Sequence, residues 1–238
     1  MSEILRAEQL SKYFKGITAN EDVTFAMEAG SIRAIIGPNG AGKTTFLSMI
    51  SGHHAPSSGR IYYKGQEVTR LDVVDRARRG ILRKFQTPSV FDELSVYENL
   101  ELAVLGTDRA PAERHRRISE VLEVVRLAEL SDAQCKHLSH GQRQWLEIGL
   151  LLGRDAELLL LDEPTAGMTA EETAATARLI KDLTRDHTLS IIVIEHDIDF
   201  IRKLDSQIMV LHLGRVLTEG RFAEVSADQR VRDVYLGT

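Results

Sequence analysis

The run Gly37-Pro38-Asn39-Gly40-Ala41-Gly42-Lys43-Thr44-Thr45 limits what this chain can fold into more than any other feature. It fits G-x-x-x-x-G-K-S/T and stands between an apolar run, Ala34-Ile35-Ile36, and a helix predicted from Lys43 to Ser51. Strand, glycine-rich loop and helix in that order make a phosphate cradle. Glycines let the backbone curl until several N–H groups face one anion, and a helix start adds partial positive charge. In such a loop Lys43 reaches the β- and γ-phosphates of ATP, and the Thr44 hydroxyl ligates Mg2+. Gly37, Asn39, Gly40, Ala41, Gly42 and Thr45 complete the candidate nucleotide contacts.

The rest of the chain reads as an α/β protein. Short strands are predicted around Leu5–Gln9, Val23–Met27, Ile32–Ile36 and Arg60–Lys64. Val23, Phe25 and Met27 alternate with Thr24 and Ala26, the period of a half-buried strand. Between Ala112 and Leu130, apolar residues at Ile118, Val121, Leu122, Val125 and Leu130 predict an amphipathic helix. That segment marks a helical subdomain over 88–153, inserted between a core built from 1–87 and 154–238. Two more buried strands are predicted, Leu158–Leu161 and Ser190–Ile194. A helix between them opens on Thr169 with a capping box to Glu172. The chain ends in a hairpin around Gly214, with strands Ile208–Leu211 and Val216–Thr218, and a short helix after Ser226.

Two strand ends carry acidic or titratable groups. Leu158–Leu161 runs into Asp162-Glu163, and in open α/β sheets ligands sit at the carboxyl ends of strands. Asp162 is a candidate to hold Mg2+ through water, and Glu163 to orient or deprotonate the attacking water. Ile191–Ile194 runs into Glu195-His196-Asp197, which makes His196 a candidate γ-phosphate contact. His53-His54 lacks metal-ligand spacing and reads as surface. A second helix start, Leu138-Ser139-His140-Gly141-Gln142, has the S-x-x-Q capping pattern, and Gly141 leaves backbone N–H groups open. It reads as a well-capped helix, or as an anion site for a nucleotide held by another subunit.

Composition narrows the partners. The 238 residues carry 30 Lys+Arg against 35 Asp+Glu, a net charge of −5, which argues against wrapping a nucleic-acid backbone. Aromatics at 5% argue against a base-stacking surface. The single Cys135 excludes an intrachain disulfide and a multi-cysteine zinc site. The start, Met1 to Arg6, has no signal-peptide character, and no apolar run approaches a membrane span.

Taken in order, GPNGAGKTT (37–45), Gln86, LSHGQ (138–142), LLLLDEP (158–164) and His196 resemble the ATP-binding cassette ATPases of ABC transporters. The resemblance covers essentially the whole chain. It implies a P-loop ATPase core sheet, an N-terminal antiparallel β subdomain and an inserted helical subdomain. It also implies a head-to-tail pair of cassettes with MgATP sandwiched between the P-loop of one and the signature helix of the other. Carried over, Phe14 stacks on adenine, a role neighbouring Tyr13 could also fill. Gln86 is the switch-loop glutamine that senses Mg2+ and water, and His196 is the switch histidine. Ser139, Gly141 and Gln142 form the signature contact to the opposite γ-phosphate. The segment Thr87–Asn99 faces a permease, where Val90, Phe91 and Leu94 suit either docking or the core.

Two positions depart from the family pattern. His140 replaces the first signature glycine, and Thr169 stands where an aspartate is usual. Both departures resemble the branched-chain amino-acid and urea importer branch, and the stretches 84–100 and 138–149 look closest to a urea transporter ATPase subunit. The expected setting is cytoplasmic, peripheral on the inner face of the cell membrane. The expected partners are a second ATPase subunit, permease subunits and, indirectly, a solute-binding protein. ABC-type ATPases of DNA repair or translation usually carry a long insertion or tandem cassettes, which this chain lacks.

Overall fold

The computed structural model describes residues 2–84, 90–107, 109–187 and 189–236. Its centre is a six-stranded sheet in the order β10-β9-β3-β8-β7-β6. The parallel strands are β3 (Ile32–Ile36), β6 (Ile81–Lys84), β7 (Leu158–Asp162), β8 (Ser190–Ile194) and β9 (Gln207–His212). Only β10 (Arg215–Gly220) runs antiparallel, as the second arm of the predicted hairpin.

Parallel sheets are covered on both faces, which is why β7 and β8 read as unbroken apolar runs. Successive side chains point to opposite faces, and the core divides accordingly. Leu159, Leu161, Ile191 and Val193 pack toward the helices. Leu158, Leu160, Ile192 and Ile194 pack toward the P-loop helix α1 (Lys43–Ile50) and a second sheet. That sheet is antiparallel, in the order β2-β1-β4-β5, from β1 (Glu3–Phe14), β2 (Ile17–Glu28), β4 (Ser58–Tyr63) and β5 (Gln66–Glu67). The fold is thus the α/β architecture expected of an ABC ATPase.

The helical region contains α3 (Val96–Leu105), α4 (Pro111–Val124) and α5 (His140–Gly153). Here the structure corrects one expectation. The helix expected to run on to Leu130 ends at Val124, because Arg126 adopts a left-handed φ of 61°. Leu127 N–H then donates to Leu122 O (2.9 Å) and Arg126 N–H to Glu123 O (3.1 Å), a Schellman ending made without glycine. Leu130 keeps the apolar rhythm from a separate short turn, Ala128–Leu130.

Other elements left little trace in the sequence. The short helix α2 (Val73–Arg78) and strand β6 were not anticipated, nor was α7 (Ile198–Leu204). The helix after β7, α6 (Ala170–His187), starts as expected behind Thr169. The end of the chain holds two helices instead of one, α8 (Phe222–Ala227) and α9 (Gln229–Leu236), so helix begins before Ser226.

Arg76 on α2 fixes the far end of the P-loop helix. It is fully buried, and its guanidinium donates to Met49 O (2.6 Å) and Ile50 O (2.7 Å), the last carbonyls of α1. It also donates to Thr69 O (3.0 Å) and Leu71 O (3.1 Å). Burial pulls its pKa down to about 10, so it stays charged at neutral pH and complements the negative helix end. Arg76→Met should lower the unfolding free energy by about 3 kcal/mol, because buried carbonyls lose their donors. Urea denaturation measures this, and an unchanged midpoint would show that α1 does not depend on this cap.

Candidate functional site

The parallel strands bring three chain exits to one sheet edge. β3 leads into the glycine loop, β7 into Asp162-Glu163, and β8 into Glu195-His196. Because β8 lies between β3 and β7, all three exits are neighbours.

The loop needs glycine for two reasons. Gly37 and Gly42 hold φ values of 151° and 98°. A Cβ on Gly37 would also stand 2.1 Å from Leu211 O, and one on Gly42 would stand 2.3 Å from Ala19 O. Gly42 is the N-cap of α1, no side chain caps that helix, and no acidic residue occupies its first turn. The helix start is therefore open to an anion. Asn39, Gly40 and Thr44 are exposed along the loop, and Thr45 is half-buried. Ala41 instead sends its methyl group into the core and its N–H to Pro38 O (3.2 Å). Lys43 is buried and folded back, donating to Gly37 O (2.7 Å) and Pro38 O (3.0 Å). Burial lowers its pKa, while the nearby Glu163 and Asp162 charges pull it upward.

At the end of β7, Asp162 is 2% exposed. Its Oδ2 accepts from Arg83 Nη2 at 2.9 Å, and its Oδ1 has no hydrogen-bond partner. A buried carboxylate oxygen left open, with the Thr44 hydroxyl exposed at the helix start, is a hard-oxygen donor set that suits Mg2+. Among the described residues no cluster of three or more His, Cys, Asp or Glu could cage an ion. The fit is therefore to an ion held partly by phosphate oxygens. Glu163 adopts a left-handed φ of 50°, uncommon for a residue with a Cβ. Its N–H donates to Ile194 O (2.9 Å), and its Oε1 lies 2.8 Å from His196 Nε2. The structure thus joins Glu163 and His196 across two strand ends.

At the second helix start the capping box forms as expected, but the Gly141 N–H expected to be open is taken by Glu172. Ser139 Oγ accepts from Gln142 N–H (3.2 Å), and Gln142 Oε1 accepts from Ser139 N–H (2.9 Å). Glu172 Oε1 accepts from Ser139 Oγ (3.0 Å) and Gly141 N–H (3.2 Å). His140 Nε2 pairs with Ala166 O at 2.7 Å, which ties this loop to the segment after β7. No hydrogen bond or ion pair connects Ser139–Gln142 to the P-loop within the described residues. Gln86 lies outside the described residues. Phe14 is partly exposed, with the His54 ring edge-on at 5.4 Å and Lys12 Nζ 5.0 Å over its face.

Three further residues touch this edge without having stood out in the sequence. Glu195 is buried, and its Oε1 accepts from Thr165 N–H (2.8 Å) and Thr165 Oγ1 (2.5 Å), pinning the loop after Glu163. A carboxylate ending a wholly apolar strand was its only signal. Arg83 sits in a strand too short and too charged to register. Tyr235, from α9, lies beside the Gly37 backbone. Burial raises its pKa to about 12 against the opposing effect of that backbone.

The known proteins that this chain resembles agree with the geometry. The family described as ABC transporter matches residues 20–166, and the one described as branched-chain amino acid ATP-binding cassette transporter matches 215–238. The probable branched-chain amino acid transport ATP-binding protein LivG of Archaeoglobus fulgidus is 32% identical, with 99% of this chain and 96% of that protein covered. The lipopolysaccharide export system ATP-binding protein LptB of Acidithiobacillus ferridurans is 36% identical over 100% of this chain and 98% of its own. A crystal structure of an ABC transporter cassette in its ADP conformation superposes with a TM-score of 0.91 at 29% identity, covering 100% of both chains. A dimeric post-hydrolysis cassette bound to ADP and Pi gives 0.79 at 26% identity, over 92% of this chain and 99% of that one. With a P-loop, an acidic strand end and a paired glutamate and histidine on one sheet edge, the chain belongs to the ATP-binding subunits of ABC transporters and is an ATPase of that family.

Proposed function

We propose that this subunit powers an ABC importer of the branched-chain amino-acid type by closing on a second cassette around ATP. The observation that carries this reading is a second helix start, α5, whose Ser139 hydroxyl and Gly141 amide already hold a carboxylate oxygen, and which no hydrogen bond or ion pair among the described residues links to the open helix start of α1. A nucleotide held at α1 of one subunit is then completed by α5 of another.

The roles follow from the contacts. Lys43 exchanges two neutral carbonyls for phosphate oxygens, a charge-assisted gain that offsets the lost loop contacts. Glu163 orients the attacking water and accepts its proton, while His196 holds the carboxylate in place from the neighbouring strand. Mg2+, when bound, neutralises charge on the β- and γ-phosphates, and Asp162 and Thr44 are the residues that would hold it. Ser139 Oγ–H and Gly141 N–H would bind the γ-phosphate from the opposite side. Phe14 or Tyr13 would support the adenine. Loss of the γ-phosphate removes the bridge and opens the pair.

Motion would leave through the helical region to a permease. Phe91 is 60% exposed and Leu94 half-buried, whereas Val90 packs against the core, so the docking role falls mainly to Phe91. It borders a groove of about 340 Å³ with Leu102, and the same groove is lined by Arg83, the partner of Asp162. Among the described residues no helix is long and apolar enough to cross a membrane, and the permease is assigned the membrane path.

The importer reading has two cargo branches, and lipid export, the role named for the LptB relative, is the alternative to both. Full-length likeness to LivG and the C-terminal family match favour branched-chain amino acids. Urea rests only on the resemblance of the stretches 84–100 and 138–149 and of the end, 234–237. Deleting the gene and measuring uptake should abolish import of one solute, leucine on the first branch and urea on the second. Normal uptake of both would overturn the importer reading.

Glu163→Gln should bind ATP, hydrolyse it at least ~10²-fold more slowly and accumulate as an ATP-held dimer. Near-normal turnover would remove Glu163 from the chemistry. Ser139→Arg should abolish hydrolysis while ATP binding, read by fluorescent-nucleotide titration, stays within about twofold, because Lys43 belongs to the other helix start. Surviving turnover would rule out the sandwich.

A further inference from the structure

Glu172 does more than cap its own helix. One carboxylate spans two elements. Oε2 accepts from Thr169 N–H (3.0 Å) and Thr169 Oγ1 (3.2 Å), the local cap of α6. Oε1 crosses to α5, where it takes the Ser139 hydroxyl (3.0 Å) and the Gly141 amide (3.2 Å). These are the two donors assigned above to the partner's γ-phosphate. The oxygen also lies directly over the signature glycine, so that a Cβ on Gly141 would stand 2.7 Å from it.

A hydroxyl has one proton and an amide has one, so a carboxylate oxygen and a phosphate oxygen cannot both be served by the same pair of donors. We infer that Glu172 is an internal stand-in for the γ-phosphate at the signature loop, displaced when the partner's ATP docks and restored when phosphate leaves. This rests on the sandwich reading given above. The carboxylate stays ionised at neutral pH, since the Thr169 amide and then the Ser139 hydroxyl hold it below its usual value. Displacement is local, because Oε2 keeps its Thr169 cap while Oε1 swings away.

The inference also accounts for both departures from the family pattern. Thr169 supplies an amide and a hydroxyl proton to Glu172, whereas an aspartate there would set a second negative charge against it. His140 holds Ala166 O, so the signature loop stays anchored to the segment after β7 while one anion replaces another. A state whose binding donors are already occupied binds ligand more weakly by the fraction that is free.

The test uses the full chain in the Glu163→Gln background and reads the ATP concentration that gives half dimerisation, by size-exclusion chromatography with light scattering. Glu172→Gln removes the competing charge, and Glu172→Asp keeps the charge but is a methylene too short to reach Ser139 from α6. Both should need about threefold to tenfold less ATP than the parent. An unchanged or higher requirement in the Asp variant would overturn the inference, since a purely structural cap predicts weaker dimerisation when it is damaged. Adding Ser139→Arg to the parent should abolish the dimer. A dimer that survives it, or a parent that never dimerises with ATP, would instead overturn the sandwich reading beneath.

Discussion

Lys43 is a buried ammonium whose hydrogen-bond partners among the described residues are two backbone carbonyls, at the start of a helix that no side chain caps. A folded chain ordinarily completes such a place with its own Asp, Ser or Thr. Here the capping position is Gly42, in a conformation and a space that exclude a side chain. The positive end of α1 and the lysine charge are thus left for an external anion. The rest of the core serves that arrangement. The sheet aligns the exits of β3, β7 and β8, and Arg76 holds the other end of α1 by its carbonyls.

The same edge carries three carboxylates, Asp162, Glu163 and Glu195, which would repel one another if left unpaired. Each has a different partner. Asp162 is held by Arg83, Glu163 by His196, and Glu195 by the Thr165 amide and hydroxyl and by the amide of His196. Glu195 has no opening toward a ligand and acts as a brace between β8 and the loop after β7. Asp162 keeps one oxygen open, and Glu163 is turned out by its left-handed backbone. These different partners separate a structural carboxylate from those with an oxygen available for chemistry.

How much of this was legible depends on whether backbone or side-chain chemistry fixed it. The P-loop was readable because only glycine satisfies its φ values and close contacts. β7 and β8 were readable because burial on both faces demands unbroken apolar runs. β6 was not, since half of it is Arg83 and Lys84, charges that look like loop until their buried partners are known. The end of α4 was hidden for a related reason: Arg126 makes the left-handed turn usually marked by glycine. Thr169 and Glu172 read correctly as a capping box, but the pattern specifies only one carboxylate oxygen. Where the other oxygen goes is set by the packing of α5 on α6, including Trp145 Nε1–H to Thr176 Oγ1 at 2.9 Å.

The unreadable strand is also where the two halves of the mechanism meet. Neighbouring residues on a strand face opposite ways. Arg83 turns to Asp162 beside the P-loop, while Lys84 turns to Glu147 on the signature helix α5, an ion pair at 2.9 Å with both side chains 4% exposed. Buried pairs of this kind contribute little net stability, but they cost a great deal to separate, so they fix geometry. A displacement of the β6 end is therefore felt at once by Asp162 and by α5, which in the proposed sandwich belong to two different ATP sites. The groove bordered by Phe91 opens beside Arg83 and Lys84. On the proposed docking at that groove, a permease element would press on a strand whose adjacent side chains reach Asp162 and α5, and that would be a short, rigid path for coupling.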